Sequence, residues 1–164
     1  MGEIIKACKA EGIRVAVYFN AGLSHEEALR HREWCVVNEI GQVYEFQKMD
    51  HWFRTMCFNS AYRKHLLAMV EEVLRNYPVD GLIFDSMNMP LCYGIECLDK
   101  MREHGIDPRD KSAVEKFAFD TKNDLKQDIE NLAAGFRSDL FLYFLGVEPC
   151  RQLTHVELEV LPQG

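Results

Sequence analysis

The 164-residue chain lacks a long hydrophobic run and an excess of positive charge. No apolar stretch reaches the roughly 18 residues that a membrane-spanning helix needs, and the opening MGEIIKACKAEG is unlike a secretory signal. Lys and Arg number 19 against 26 Asp and Glu, so the net charge of −7 disfavours binding to nucleic acid or to an anionic membrane. We therefore expect a cytoplasmic protein that binds neither.

Glycine and proline are also scarce, at 10 and 5 residues. This scarcity excludes collagen-like repeats, and together with a 48% hydrophobic fraction it argues against intrinsic disorder. The length suits about one domain with a hydrophobic core of its own.

The six cysteines form no CxxC pair, and the closest two, Cys92 and Cys97, are separated by four residues. A chain with a normal apolar fraction does not need disulfides, so the pattern favours reduced, buried thiols over a disulfide or a structural metal. The chain also has no HExxH helix and no HxH strand, which are common metal-binding patterns. The sequence predicts no metal site and no cofactor.

Helical and strand patterns alternate along the chain. Apolar residues recur at helical spacing in four segments, 3–10, 60–77, 95–104 and 112–137, and β-branched or aromatic runs indicate strands at 13–19, 79–85, 140–146 and 154–160. Residues 20–59 show no sustained period apart from a turn at Gly41, and so long an irregular segment often has a function.

Strands separated by helices indicate a parallel sheet. A doubly wound nucleotide-binding sheet requires a glycine-rich turn after a strand, and none of the four predicted strands has one. Polar or acidic residues at strand ends are instead typical of (β/α)8 barrels. We expect an α/β fold, with residues 1–164 forming a central fragment of such a barrel, about half of it. The two open sheet edges of such a fragment favour homo-oligomers.

Strand parity places several polar residues on the inner side of this barrel, because successive side chains alternate between faces. In the strand ending at Asp85, Leu82 and Phe84 suit the helix layer, so Asp85 faces inward. The same reasoning turns Tyr18 and Asn20 inward.

In the last predicted strand, three ionisable residues face inward, namely His155, Glu157 and Glu159. Inward carboxylates are costly unless they are paired or used. Simpler interpretations stay open: Asp85 caps the following loop, the two glutamates lie on an exposed edge strand, and Trp34 is a core anchor.

Five segments resemble segments of a family of bacterial glycoside hydrolases and occur in the same order along the chain. They are GIRVAVYFN, EWCVVNEIGQ, CFNSAYRKHLLAMVEEVLRNYPVDGLIFD, CYGIECLDKMREHGIDP and THVELEVLP. The family consists of α-amylase-like or α-L-fucosidase-like (β/α)8 barrels, often followed by a β-galactosidase-type trimerisation domain. The chain departs from the pattern at Cys92 and Cys97, where members tend to show a CxC…C arrangement, and at Gly146, where a polar residue is expected. The first departure argues against a metal role for the two cysteines.

The resemblance implies hydrolysis of O-glycosidic bonds in a carbohydrate substrate through two carboxyl groups, with retention of configuration. Asp85 is the expected nucleophile, by its position and by the fucosidase-like resemblance. Glu159 is the expected acid/base, with Glu157 in reserve. The residues expected to bind sugar are Tyr18, Asn20, Trp34, Asn59 and His155.

Two other functions remain open at this stage. A metal-dependent hydrolase on the same barrel would use His155, Glu157 and Asp85 as ligands. A truncated barrel that only binds carbohydrate would need no catalytic pair.

Overall fold

The computed structural model describes the backbone of residues 1–43, 45–47 and 50–145, and the side chains of 1–43 and 54–145. The strand predicted at 154–160, with His155, Glu157 and Glu159, lies outside the described residues. The elements follow the order α1 (Gly2–Ala10), β1 (Ala16–Asn20), α2 (His25–Arg30), a 3-10 helix (Arg32–Trp34), β2 (Glu45–Gln47), β3 (Asp50–Arg54), α3 (Tyr62–Asn76), β4 (Gly81–Asp85), α4 (Ile95–Glu103), α5 (Lys111–Phe136) and β5 (Phe141–Phe144).

Three of these strands form one parallel sheet in the order β1-β4-β5. The register pairs Ala16 with Gly81 and Asn20 with Asp85, so the carboxyl ends of β1 and β4 lie side by side. The prediction of parallel strands separated by helices is therefore confirmed. Strands β2 and β3 form a separate antiparallel hairpin.

Strand β1 begins three residues later than the sequence predicts, at Ala16 instead of Ile13. The backbone N–H of Val15 donates to the Asp80 carboxylate over 2.8 Å. The acceptor at this position is therefore a side chain and not the backbone carbonyl of a neighbouring strand. Lys9 from α1 forms an ion pair with the same carboxylate at 3.2 Å. The amino end of the sheet is thus tied to α1 by Asp80.

The helices begin and end close to the predicted positions, and local polar groups explain why. Ser60 Oγ accepts from the N–H of Tyr62 at the start of α3, and Pro78 follows its last turn. Asp110 caps α5 by accepting from the N–H of Ala113 over 3.2 Å. The structure therefore moves the predicted helix boundaries by two residues or fewer.

The two faces of the parallel sheet have opposite environments. On one face Phe84 stacks on Phe19 and on Phe144, each at 5.2 Å between ring centroids, and the helices cover this layer. On the other face Tyr18 and Tyr143 are 55% and 45% exposed. The predicted strand parity is confirmed for β1 and β4, since the bare face carries their side chains assigned to a barrel interior.

The described parts of residues 20–59 contain only short elements, in agreement with the lack of a sustained period in the sequence. The helix α2, the 3-10 helix and the β2–β3 hairpin lie here, held by isolated bridges such as Cys35 with Met56. Each element is too short to show a period. The predicted turn at Gly41 is confirmed, with a φ of +81° and an Asn38 side chain that accepts from two turn amides.

Candidate active site

Asp85 ends the central strand β4, and both of its carboxylate oxygens are hydrogen-bonded. Oδ2 accepts from the hydroxyl of Tyr18 over 2.5 Å, and Oδ1 accepts from the backbone N–H of Ser86 over 2.6 Å. The carboxylate is thereby fixed on the bare face of the sheet, half-buried and open to a ligand. The bond to Ser86 also matches the simpler interpretation that Asp85 caps its own loop.

The backbone around Asp85 is unusually crowded. Ser86 has a φ of +57°, in the left-handed region that few side chains favour, and its carbonyl faces Gly22 in the loop after β1. A Cβ on Gly22 would lie 1.7 Å from the Ser86 oxygen, so only glycine fits there. The loops after the two neighbouring strands are therefore packed backbone against backbone directly beside the carboxylate.

Asn20 faces Asp85 across the register at the end of β1. Its Oδ1 atom is buried and has no hydrogen-bond partner within the described part of the chain. A buried acceptor of this kind is costly unless a ligand or another group satisfies it. Asp85, Tyr18 and Asn20 thus form one polar group at the carboxyl end of the sheet, as the sequence predicts.

The hydrogen bond to Asp85 raises the pKa of Tyr18 above its ordinary value, with burial and the aspartate charge as smaller causes. The protonated tyrosine is favoured in the folded state, so this contribution to stability is present below about pH 10 and is lost as the pH rises through the higher folded pKa.

We expect Asp85→Asn to lower the pKa of Tyr18, because the substitution removes the negative charge that the hydroxyl faces. Ultraviolet absorbance titration of tyrosinate, taken as a difference between variant and wild type, measures this shift. Asp139→Asn is the matched control, since Asp139 pairs with Arg137 instead. An unchanged tyrosinate curve in Asp85→Asn would contradict the hydrogen bond.

Two of the predicted sugar-binding residues, Trp34 and Asn59, contact other side chains of the protein. Trp34 stacks on His31 at 3.7 Å between ring centroids and lies at an angle to Tyr62 and His65. It is half-buried and packs against the core, as the core-anchor interpretation expects.

Asn59 uses both ends of its side-chain amide. Its Nδ2 donates to Thr121 Oγ1 over 3.1 Å and its Oδ1 accepts from Lys100 Nζ over 2.8 Å. These bonds connect the segment after β3 to α4 and α5. His155, Glu157 and Glu159 lie outside the described residues, so their placement relative to Asp85 stays a prediction.

Three buried cysteines meet beside Asn59, and the sequence did not predict this cluster. The Sγ atoms of Cys57 and Cys97 are 3.4 Å apart, those of Cys57 and Cys92 are 3.6 Å apart, and all three lie within 4.8 Å of one another. None of the three is joined to another cysteine by a disulfide. Cys57 is 35 residues from Cys92, so no local spacing could have revealed the cluster.

A cleft of about 690 Å³ opens among the loop after β4, the Gly41 turn and α5. Asn88, Pro90, Tyr93 and Phe119 are among its lining residues, and Asp85 is not. Its mixed polar and aromatic lining is of a kind that binds sugars.

Over the described residues, no helix is long and apolar enough to cross a membrane.

A parallel sheet with helices on one face, and with a fixed carboxylate at the carboxyl end of its central strand, is the arrangement found in part of a (β/α)8 barrel. The sequence family described as hypothetical glycosyl hydrolase 6 matches residues 1–86, which is more than half of the chain. The chain belongs to this family. A search of curated proteins found no match.

Solved structures of glycoside hydrolases share the fold. The α-L-fucosidase isoenzyme 2 from Paenibacillus thiaminolyticus superposes with a TM-score of 0.79 at 24% identity, over 87% of this chain and 22% of that one. The α-galactosidase TtGalA from Thermus thermophilus gives 0.61 at 11% identity, over 88% of this chain and 27% of its own. An α-amylase from Lactobacillus plantarum gives 0.56 at 10% identity, over 86% and 26%.

These similarities establish the fold and confirm the partial (β/α)8 barrel that the sequence predicts. The chain spans about a quarter of the length of each of these three structures.

Proposed function

We propose that residues 1–164 are the central part of a glycosidase barrel in which Asp85 is the catalytic nucleophile. The observation that carries this proposal is the carboxylate of Asp85, held by Tyr18 and Ser86 at the carboxyl end of the central strand and facing the bare side of the sheet. Catalytic groups of (β/α)8 enzymes lie at this end of the strands. A hydroxyl donor beside a nucleophilic carboxylate also fixes its orientation for attack.

The similar structures and the cleft support a proposal for the substrate class. The fucosidase and the galactosidase are named for α-linked sugars, so we propose an α-glycoside as substrate. Tyr18 and Asn20, beside the carboxylate, would bind sugar hydroxyls, and the unpaired Asn20 Oδ1 would accept one of them. Tyr93 and Phe119 in the cleft would contact a more distant part of the substrate.

The second carboxyl group is proposed to be Glu159, with Glu157 in reserve. A retaining mechanism needs the pair about 5 to 5.5 Å apart, so that one attacks the anomeric carbon while the other protonates the leaving oxygen. Repulsion between the two charges would raise the pKa of the acid and keep it protonated for donation. His155, on the same predicted strand, would bind a sugar hydroxyl.

The mechanism can be tested by assaying the enzyme that contains this segment on aryl α-L-fucosides and α-D-galactosides. We expect the first product to keep the substrate's anomeric configuration, as measured by proton NMR. Glu159→Ala should lose turnover of substrates with poor leaving groups. With an activated aryl glycoside it should still form the glycosyl-enzyme, and azide should rescue turnover by giving a glycosyl azide of retained configuration. Glu157→Ala is the matched control and should show no azide rescue. An inverted first product would exclude retention.

A further inference from the structure

The three cysteines beside Asn59 have the geometry of a metal site. A tetrahedral zinc ion with Zn–S bonds of about 2.3 Å holds its sulfur ligands about 3.8 Å apart. The Sγ separations of 3.4 and 3.6 Å at Cys57 are close to this value, and neither is a bonded disulfide. The four residues between Cys92 and Cys97 match the upper end of the spacing found in zinc-binding loops.

Two of the three sulfurs accept a hydrogen bond from an N–H group, as metal-bound thiolates do. The backbone N–H of Gly94 donates to Cys92 Sγ over 3.5 Å, and Asn59 Nδ2 donates to Cys97 Sγ over 3.4 Å. Such second-shell hydrogen bonds orient thiolate ligands and reduce their charge. Three thiolates with one Zn²⁺ leave a net charge of −1. The positive ammonium group of Lys100 is close to this charge, because it donates to Oδ1 of Asn59, the residue that contacts Cys97.

We propose that Cys57, Cys92 and Cys97 bind one zinc ion through their three sulfurs. The three cysteines are each 2% exposed or less, so the site is protected from solvent. Cys35 is also buried, but its sulfur does not belong to the group of three. The proposal does not depend on glycosidase activity.

The ion would join two segments that follow different strands. Cys57 comes directly after β3, whereas Cys92 and Cys97 lie between β4 and the first turns of α4. The second segment leaves β4 at Asp85 and passes along the cleft at Tyr93. A zinc ion here would fix the cleft wall relative to the candidate nucleophile.

Elemental analysis of the full chain, purified under reducing conditions without chelator, tests the proposal. We expect about one zinc per chain, which Cys57→Ser and Cys92→Ser each lose. Cys35→Ala, a buried cysteine outside the cluster, is the matched control and keeps its zinc. After chelation, added Co²⁺ should give the near-ultraviolet sulfur-to-cobalt absorption in wild type and in Cys35→Ala, but not in Cys57→Ser.

The wild-type chain alone can overturn the proposal, whatever the variants do on folding. A protein that holds no zinc and gives no cobalt–sulfur absorption would exclude a thiolate site. A mass two hydrogens lower, from a disulfide among the three cysteines in the reduced preparation, would also exclude it. Zinc that survives in Cys57→Ser, or is lost from Cys35→Ala, would show that the ligand set is different.

Discussion

We expect Asp85→Asn to lower the turnover of an activated aryl glycoside by about 10³-fold or more in the enzyme that contains this chain, because it removes the attacking oxygen while keeping the shape of the side chain. An asparagine still accepts from the Ser86 N–H, so the loop after β4 should keep its conformation. The loss should therefore appear in kcat, with an unchanged circular dichroism spectrum. Added azide should not restore a glycosyl azide of retained configuration.

Asp80→Asn provides the matched control for this substitution. Asp80 precedes the same strand, and its carboxylate also accepts from a backbone N–H, that of Val15. It lies at the opposite end of the sheet from Asp85, where barrel enzymes place stabilising residues. Asp80→Asn should change stability more than turnover. Near-normal turnover in Asp85→Asn would show that Asp85 only caps its loop.

We expect Phe84→Ala to reduce the free energy of unfolding by about 3 to 5 kcal/mol, because it leaves a cavity in the middle of a three-ring stack. Phe84 is fully buried, and its ring lies between Phe19 and Phe144. The urea midpoint measures the loss.

Ile83→Ala is the control for Phe84→Ala, one residue away on the other face of β4. Ile83 lies on the bare face and is only half-buried, so its truncation should cost about 1 kcal/mol or less in the isolated chain. Equal shifts in the urea midpoint for the two variants would mean that both faces of the sheet are covered in solution.

The sequence predicts those parts of the site that depend on strand geometry. Alternation along β4 suffices to place Asp85 opposite Phe84, and the same rule brings Tyr18 to the carboxyl end of β1. Contacts between distant segments could not be predicted in this way. Cys57 and Cys92 are 35 residues apart, and the described elements before Cys57 are too short to show a period of their own.

Asn59 illustrates a second limit of the sequence. A polar residue after an irregular segment suggests contact with a substrate, yet its amide is bonded to Thr121 and Lys100. Whether a polar side chain serves a ligand or the core depends on which elements pack around it. That packing is a property of the tertiary structure.

Asp80, just before β4, and Asp85, at the end of β4, together fix the alignment of β1 and β4 in the parallel sheet. Asp80 bonds to Val15 at one end, and Asp85 bonds to Tyr18 at the other. A slip of β1 by one residue would break both attachments at once and turn Phe19 toward the bare face. Mispaired forms of the sheet are therefore penalised twice, by lost hydrogen bonds and by an exposed aromatic ring, which favours a single alignment during folding.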